Sequence, residues 1–416
     1  MDKEDLKKII ISQNSISQDN YIEREKYSLV KKNLNNEEII FISGLRRSGK
    51  TTLLNQLRKE NSGQYFLDFD DDRLINFQIK DFEKLYESFL ELFGEENTFY
   101  FDEIQNISGW ERFVRRLHNE GKKVIVTGSN ATMLSKEFGT HLTGRHIEFE
   151  LYPFSFKEYL NFKNHILEKN DLYDTKKLVK IKTQFNEYLK EGGIPEYLKN
   201  KNVNYLKTLY DNILYRDIMN RYNLGNEKTL KELVFFLTSN IGKRISYNSL
   251  KKTLGLSNSS TVKEYINYFE NSFMFFQVNK FDYSLKKQMV NPKKVYVIDN
   301  GFASKISFRF SEDRGRLLEN LVFLELKRYN YNVFYHFENK ECDFLLEDRG
   351  KILQAIQVTD NISNEETRKR EIEGLIDAMK THNLKRGLIL TYDESENIEI
   401  DKYSITVKPI WRWLLE

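Results

Sequence analysis

Gly44-Leu-Arg-Arg-Ser-Gly-Lys-Thr51 places glycine, glycine, lysine and threonine at the spacing G-x-x-x-x-G-K-[ST]. The flanks suit a phosphate site: Glu38–Ser43 reads as a buried strand and Lys50–Leu57 as the first turns of a helix. A glycine-rich turn between strand and helix gathers backbone N–H groups at the positive end of the helix dipole, which is what a triphosphate needs. In this reading Gly44, Arg47, Ser48, Gly49, Lys50, Thr51 and Thr52 hold ATP. Lys50 reaches the β- and γ-phosphates as a point charge, and Thr51 turns its hydroxyl to Mg²⁺.

Asn97–Glu103 is an apolar run ending in two acids. At the carboxyl edge of a sheet, beside the phosphate loop, Asp102 would hold the Mg²⁺ shell and Glu103 would polarise the attacking water. Lys123–Asn130 ends in small polar residues and should lie next to the Asp-Glu strand. Ser129 or Asn130 would then hydrogen-bond the water or the γ-phosphate, although a polar turn before a helix explains them equally well. Arg145 follows a glycine at the start of a strand. It is a candidate for neutralising transition-state charge, in cis or from a neighbouring subunit. Arg46 and Arg47 lie inside the loop and are expected to meet acidic neighbours such as Asp68 or Asp70.

The elements that must position these groups alternate. Strands are expected at 38–43, 64–69, 97–102, 123–128 and 146–151, with helices between them: an α/β domain with a parallel sheet over residues 1–152. Residues 153–241 read as a helical lid: Phe154–Leu167, Thr175–Lys190, Val203–Asn220 and Glu227–Asn240, broken at Gly192-Gly193-Ile194-Pro195. Residues 242–311 read as a winged-helix-like module and residues 312–416 as mixed α/β. At 416 residues the chain exceeds one ordinary core. No apolar run approaches the ~20 residues that span a bilayer, and the N-terminus lacks an apolar signal core. One cysteine, Cys342, excludes an intrachain disulfide and a cysteine-based zinc site. A cytoplasmic protein without a membrane partner is expected.

The net charge of +3 does not point to nucleic acid, but its distribution does. Residues 243–294 hold ten Lys/Arg against three Asp/Glu, an electrostatic footprint for phosphate backbones. Tyr247, Asn248, Ser259 and Lys263 are the expected contacts, with Lys286, Lys287, Lys293 and Lys294 adding charge. A subunit or domain contact would use such a module as well. In the last segment, Glu319 on a helix and Asp343 on a strand match the layout of restriction-endonuclease-like folds. That layout also needs (Asp/Glu)-x-Lys one strand later. Here Gln357 and Thr359 stand in those places, so the fold is expected without cleavage. Lys351 or Lys369 remain as substitutes for the lysine.

Several motifs occur together: the phosphate loop, Phe101-Asp-Glu-Ile-Gln105 with Gly109-Trp110-Glu111, Thr127-Gly-Ser-Asn130, and Leu142-Thr-Gly-Arg145 with Pro153-Phe-Ser-Phe-Lys-Glu-Tyr159. Gly192-Gly-Ile-Pro195, Arg216-Asp217, Tyr296-Val-Ile-Asp299-Asn-Gly301 and Leu318-Glu319-Asn320 extend the series. In this order they resemble prokaryotic AAA-type P-loop ATPases of the archaeal-ATPase-like lineage, over nearly the whole chain. In that group a C-terminal domain of unknown function with a nuclease-like core follows the ATPase. The resemblance implies that Lys50, Thr51, Asp102, Glu103 and Arg145 handle ATP. It leaves the task open between a DNA-associated ATPase, a nucleotide-gated protein-interaction switch and an ATP-regulated nuclease. A homo-oligomer is a further expectation.

Overall fold

The computed structural model describes residues 1–14, 21–61, 63–130, 144–168, 170–306 and 313–416. It divides into one unit of Met1–Tyr152 with Asn271–Phe273, and another of Pro153–Glu270 with Met274–Glu416.

The first unit is built on five strands: β1 Ile39–Ser43, β2 Phe66–Asp68, β3 Thr98–Asp102, β4 Lys123–Gly128 and β5 His146–Glu150. Their order is β2-β3-β4-β1-β5, and every pairing is parallel. A parallel sheet covered on both faces needs strands that are apolar at every position. Ile39-Ile-Phe-Ile42, Phe99-Tyr-Phe101 and Val124-Ile-Val126 meet that need. Ile39, Phe41, Phe99, Phe101, Val124 and Val126 pack into an aromatic-rich core with Phe82 and Phe113. The alternate residues Ile40, Ile42, Tyr100 and Ile125 pack with Leu53, Leu54 and Leu57 from the helix Lys50–Glu60. All five expected strands form, trimmed by a residue or two at their ends.

The second unit opens with helices, including Phe156–Phe162, Thr175–Glu191 and Glu227–Ser239. The helix expected over 154–167 is shorter because the chain turns at Asn164, whose φ is +56°. Val203–Asn212 continues as a π-helix over Ile213–Asn220. A nine-stranded sheet follows: β6 Arg244–Ile245, β7 Phe275–Lys280, β8 Lys293–Val297, β9 Asn332–Phe337, β10 Glu341–Asp348, β11 Lys351–Val358, β12 Arg386–Thr391, β13 Glu396–Ile400 and β14 Tyr403–Pro409. Their order is β13-β14-β12-β11-β10-β9-β7-β8-β6. β7 pairs in parallel with β9 through Asn279↔Phe334, so the strands on either side of residue 311 belong to one sheet.

Two motifs of the second unit are explained by packing. The Gly193 N–H donates to Asp299 Oδ2 at 2.6 Å, and a Cβ at Gly192 would lie 2.1 Å from Asp299 Oδ1. Asn320 donates to the Val297 carbonyl at 3.0 Å and accepts from the Val297 N–H at 2.9 Å. These residues fasten the helices to the sheet. Among the described residues no helix is long and apolar enough to cross a membrane.

Candidate functional site

The phosphate loop leaves β1 through Gly44, whose φ is +148°. A Cβ there would lie 2.2 Å from the Leu151 carbonyl oxygen, so only glycine fits. Gly49, at φ +101°, starts the helix Lys50–Glu60. Lys50 is buried, and its Nζ donates to the Gly44 and Leu45 carbonyls at 3.2 Å each. It also pairs with Glu103 Oε1 at 3.1 Å. Ser48 Oγ is buried without a hydrogen-bond partner. Thr51 and Arg47 are exposed and Thr52 is half-buried. Arg24, which sequence reading missed, braces the loop from outside: Nη1 donates to the Ser48 carbonyl at 2.7 Å and Nη2 to the Tyr152 carbonyl at 2.6 Å.

The acids stand at the same carboxyl edge of the sheet. Asp102 ends β3 and is buried; it accepts from the Thr127 hydroxyl, and the Thr51 side chain lies near enough to help favour its ionised form. The same Thr127 oxygen accepts from the Glu103 N–H at 3.0 Å, so one side chain of β4 fixes both acids. Asp68 lies opposite Asp102 in the β2–β3 register. Burial, reinforced by the Glu103 charge, pushes the Asp102 carboxyl up to about 6. Burial and Asp102 push Asp68 up to about 7. Glu103 behaves oppositely. Burial alone would raise it, but the Lys50 and Arg46 charges outweigh burial and hold it at about 2. Its backbone sits in the left-handed region at φ +48°, and Gln105 donates to its Oε2. Strained backbone of this kind persists where surrounding contacts fix it.

β4 lies between β3 and β1, the neighbour expected for the Asp-Glu strand. This brings the buried Ser129 and Asn130 to the edge that carries the loop and the acids. Gln105 Nε2 lies 3.4 Å from Ser129 Oγ. Arg46 meets Asp70 at 3.2 Å, as its position in the loop suggested. Arg145 is not brought to this site. It precedes β5 at the other end of the sheet, where its carbonyl accepts from the Ile39 N–H at 2.8 Å and its Nη1 donates to Asn119. The length of β1 separates it from the loop, about 15 Å at ~3.3 Å per residue. Leu142 and Thr143 lie outside the described residues.

The second unit holds a separate charged cluster in a cavity of ≈ 1570 Å³ lined by Glu319, Asp343, Gln357, Thr359 and Glu371 among others. A lysine does stand at the acids, but it is neither Lys351 nor Lys369. Lys351 is exposed, and Lys369 pairs with Glu373 at 4.0 Å. The lysine present is Lys294 of β8. Its buried Nζ lies 2.7 Å from Asp343 Oδ1, 2.9 Å from Glu341 Oε1 and 3.0 Å from Glu319 Oε1. The Tyr296 hydroxyl donates to Glu319 at 2.7 Å. Burial, with Asp343 adding to it, pushes the Glu319 carboxyl up to about 7 against the pull of Lys294. Gln357 donates to Glu371, and its Oε1 accepts from the Asp343 N–H at 3.2 Å. No group of three or more metal-ligating side chains stands in metal-holding geometry among the described residues.

The expected set of phosphate contacts is therefore corrected. Lys293 and Lys294 are buried and cannot meet a phosphate backbone. The Tyr247 hydroxyl donates to Gln277 at 2.6 Å, and Ser259 is half-buried. Asn248, Lys263, Lys286 and Lys287 are exposed.

Comparison with known proteins gives a family match over the segment that carries the loop and the acids. Residues 36–160 match the family described as AAA domain. Residues 182–313 and 314–413 match two domains of unknown function, DUF8612 and DUF4143. The uncharacterized protein MJ1544 of Methanocaldococcus jannaschii is 35% identical over 91% of this chain and 88% of its own length. An uncharacterized protein of Haemophilus influenzae is 30% identical over 90% of this chain and 94% of its own. Among solved structures, the Walker-type ATPase PABY2304 of Pyrococcus abyssi is similar at a TM-score of 0.46 and 16% identity, covering 70% of this chain and 97% of that one. The chain belongs to the same family as MJ1544 and the Haemophilus influenzae protein, and its residues 36–160 are an AAA-type ATPase domain.

Proposed function

We propose that the first unit binds ATP with Mg²⁺ and hydrolyses it to ADP and phosphate. The observation that carries this reading is the buried contact of Lys50 with Glu103 at the edge where the phosphate loop, Asp102 and Asn130 converge. The residues fit the ligands. Glycine at 44 and 49 lets the loop adopt its left-handed turn before the helix, and the buried Ser48 Oγ lacks a partner. Thr51 stands near Asp102, a hydroxyl and a carboxylate of the kind that hold Mg²⁺. Bound Mg²⁺ would neutralise charge on the β- and γ-phosphate oxygens. Lys50 exchanges its carbonyl and Glu103 contacts for phosphate. Glu103, released and still ionised, orients the water and takes its proton, while Asn130 hydrogen-bonds the water or the γ-phosphate. Arg145 serves a neighbouring copy, since its own loop is out of reach.

Lys50→Ala should abolish tight ATP binding, and Glu103→Gln should keep binding but stall turnover, because an amide does not accept the proton. Normal turnover in Glu103→Gln would remove that residue from the mechanism.

For the second unit we read the helix Glu227–Ser239, β6, the helices Tyr247–Thr253 and Ser259–Asn271, and the hairpin of β7 and β8 as a winged helix. The exposed lysines support a DNA-associated ATPase. The switch reading gains from the exposed Tyr283, Leu285, Met289 and Val290 between β7 and β8. Turnover with and without DNA at two salt concentrations separates the two. Cleavage is disfavoured, because the Lys294 ammonium lies among the carboxylates that a catalytic metal would need.

A further inference from the structure

The phosphate loop contains a second guarded cation. Arg46 lies two residues after Gly44, with its side chain 11% exposed and Nη1 3.2 Å from Asp70 Oδ2. Asp70 is held in turn. Its N–H donates to Asp68 Oδ1 at 2.8 Å, and its Oδ1 accepts from Asn106 Nδ2 at 3.3 Å. Asn106 closes the short 3₁₀ turn that begins at Glu103. The guanidinium thus sits between the loop and the acidic edge of the sheet. It is close enough to contribute to the field that keeps Glu103 ionised. Arg47, its neighbour, is exposed.

A triphosphate in this loop directs its last phosphate toward Lys50 and Glu103, on the ATPase reading above. Arg46 flanks that place from the loop itself, whereas Arg145 lies at the far end of the sheet. A terminal phosphate carries more charge than one carboxylate and accepts a planar two-point contact, so it competes well for a guanidinium. A diphosphate does not extend that far.

We propose that Arg46 binds the γ-phosphate of ATP in cis and stabilises the transition state, and that Asp70 is its counter-ion while the γ-phosphate is absent. In the step it serves, the water oxygen bonds to the γ-phosphorus and the bond to the β–γ bridging oxygen breaks. The electron pair leaves on ADP, and the water proton passes to Glu103. Arg46 meets the charge that grows on the transferring group.

The test compares wild-type protein with Arg46→Ala, Arg46→Lys and Asp70→Asn. Affinity is measured for ADP and for a non-hydrolysable ATP analogue, and turnover for ATP. In Arg46→Ala, ADP affinity should stay within about twofold, analogue affinity should fall roughly tenfold, and turnover should fall on the order of 10²–10³-fold. Arg46→Lys should recover part of the analogue affinity. Asp70→Asn should raise the preference for analogue over ADP, which keeps the proposal testable if Arg46→Ala folds poorly. Mixing Arg46→Ala with Lys50→Ala should restore nothing, because both defects lie in the same loop. Equal weakening of ADP and analogue, unchanged turnover in Arg46→Ala, recovery on mixing or an unchanged preference in Asp70→Asn would overturn it. Absence of turnover in the wild type would instead sink the ATPase reading, while the affinity ratios would still decide whether Arg46 holds the γ-phosphate.

Discussion

Asp102 and Glu103 are neighbours in sequence and opposites in electrostatics. Glu103 faces Lys50 and the Arg46 field and stays ionised; Asp102 lies beside half-buried Asp68 and Glu103 and retains its proton up to about pH 6. The sign follows from the ordinary carboxyl value of 3.8. Between 3.8 and about 6 the folded state holds a proton that the unfolded chain has released. This group's ionisation therefore costs the fold stability as pH rises through that window, and the cost levels off above it. A divalent cation on the carboxylate removes the cost and releases the proton. Mg²⁺ affinity of the nucleotide complex should thus weaken by about tenfold per pH unit below ~6 and be flat above ~7. Mg²⁺ titration from about pH 5 to about pH 8 checks it, and a flat profile throughout would remove Asp102 from the metal site. The types and spacing of Lys50, Asp102 and Glu103 made the chemistry legible in the sequence. Thr127 and Gln105 stood in the motifs, but their roles and that of Arg24 were not legible, because ordinary polar residues gain them only through the side-chain contacts that the folded sheet edge makes.

At the scale of elements, strands were legible where both faces are apolar, as in Ile39-Ile-Phe-Ile42 and Val124-Ile-Val126. Elements with weak or interrupted patterns were not. β13, Glu396-Asn-Ile-Glu-Ile400, is half polar, and the short helix Leu285–Val290 between β7 and β8 carries no apolar face that buries. Lys294 was read as surface charge because lysine at a strand start is usually solvated. The pairing of β7 with β9 places β8 in the same sheet as β10, and the lysine is buried among acids from β10 and the helix Arg314–Arg328. Removing one partner of a buried ion cluster leaves its counter-charges uncompensated, at a cost of about 3–5 kcal/mol. Lys294→Met should therefore destabilise the chain by that order. The loss should be greater at about pH 8 than at about pH 6, because beside Lys294 the Glu319 carboxyl ionises near 7, and without the ammonium its ionisation is pushed higher and costs the variant more. Adding Asp343→Asn should recover part of it. Urea unfolding of the single and double variants measures both effects, and a Lys294→Met protein as stable as wild type would show that the cluster carries no net attraction.

At the scale of the whole molecule, the position of Arg145 bears on assembly. The sheet holds it at the amino end of β5, against Asn119, while the phosphate loop and acids occupy the carboxyl end. A guanidinium about 15 Å from its own loop contributes nothing in cis to a charge that falls off with distance and is screened within ~8–10 Å in salt. If it is catalytic, a second copy must bring it to the γ-phosphate. Specific activity should then rise with protein concentration until assembly saturates. Arg145→Ala should lose about 10³-fold or more in turnover while binding nucleotide normally, as loss of an arginine finger does. The decisive arm mixes two inactive proteins. Lys50→Ala lacks a working loop but keeps Arg145, and Arg145→Ala keeps a working loop. In a mixed assembly some loops of the second face an arginine of the first, so activity should return to a fraction set by the mixing ratio. Arg145→Ala with wild-type turnover would make the residue structural. A deep loss that mixing fails to repair, with turnover independent of concentration, would instead mean that the chain works as a monomer and that Arg145 matters through its contact with Asn119.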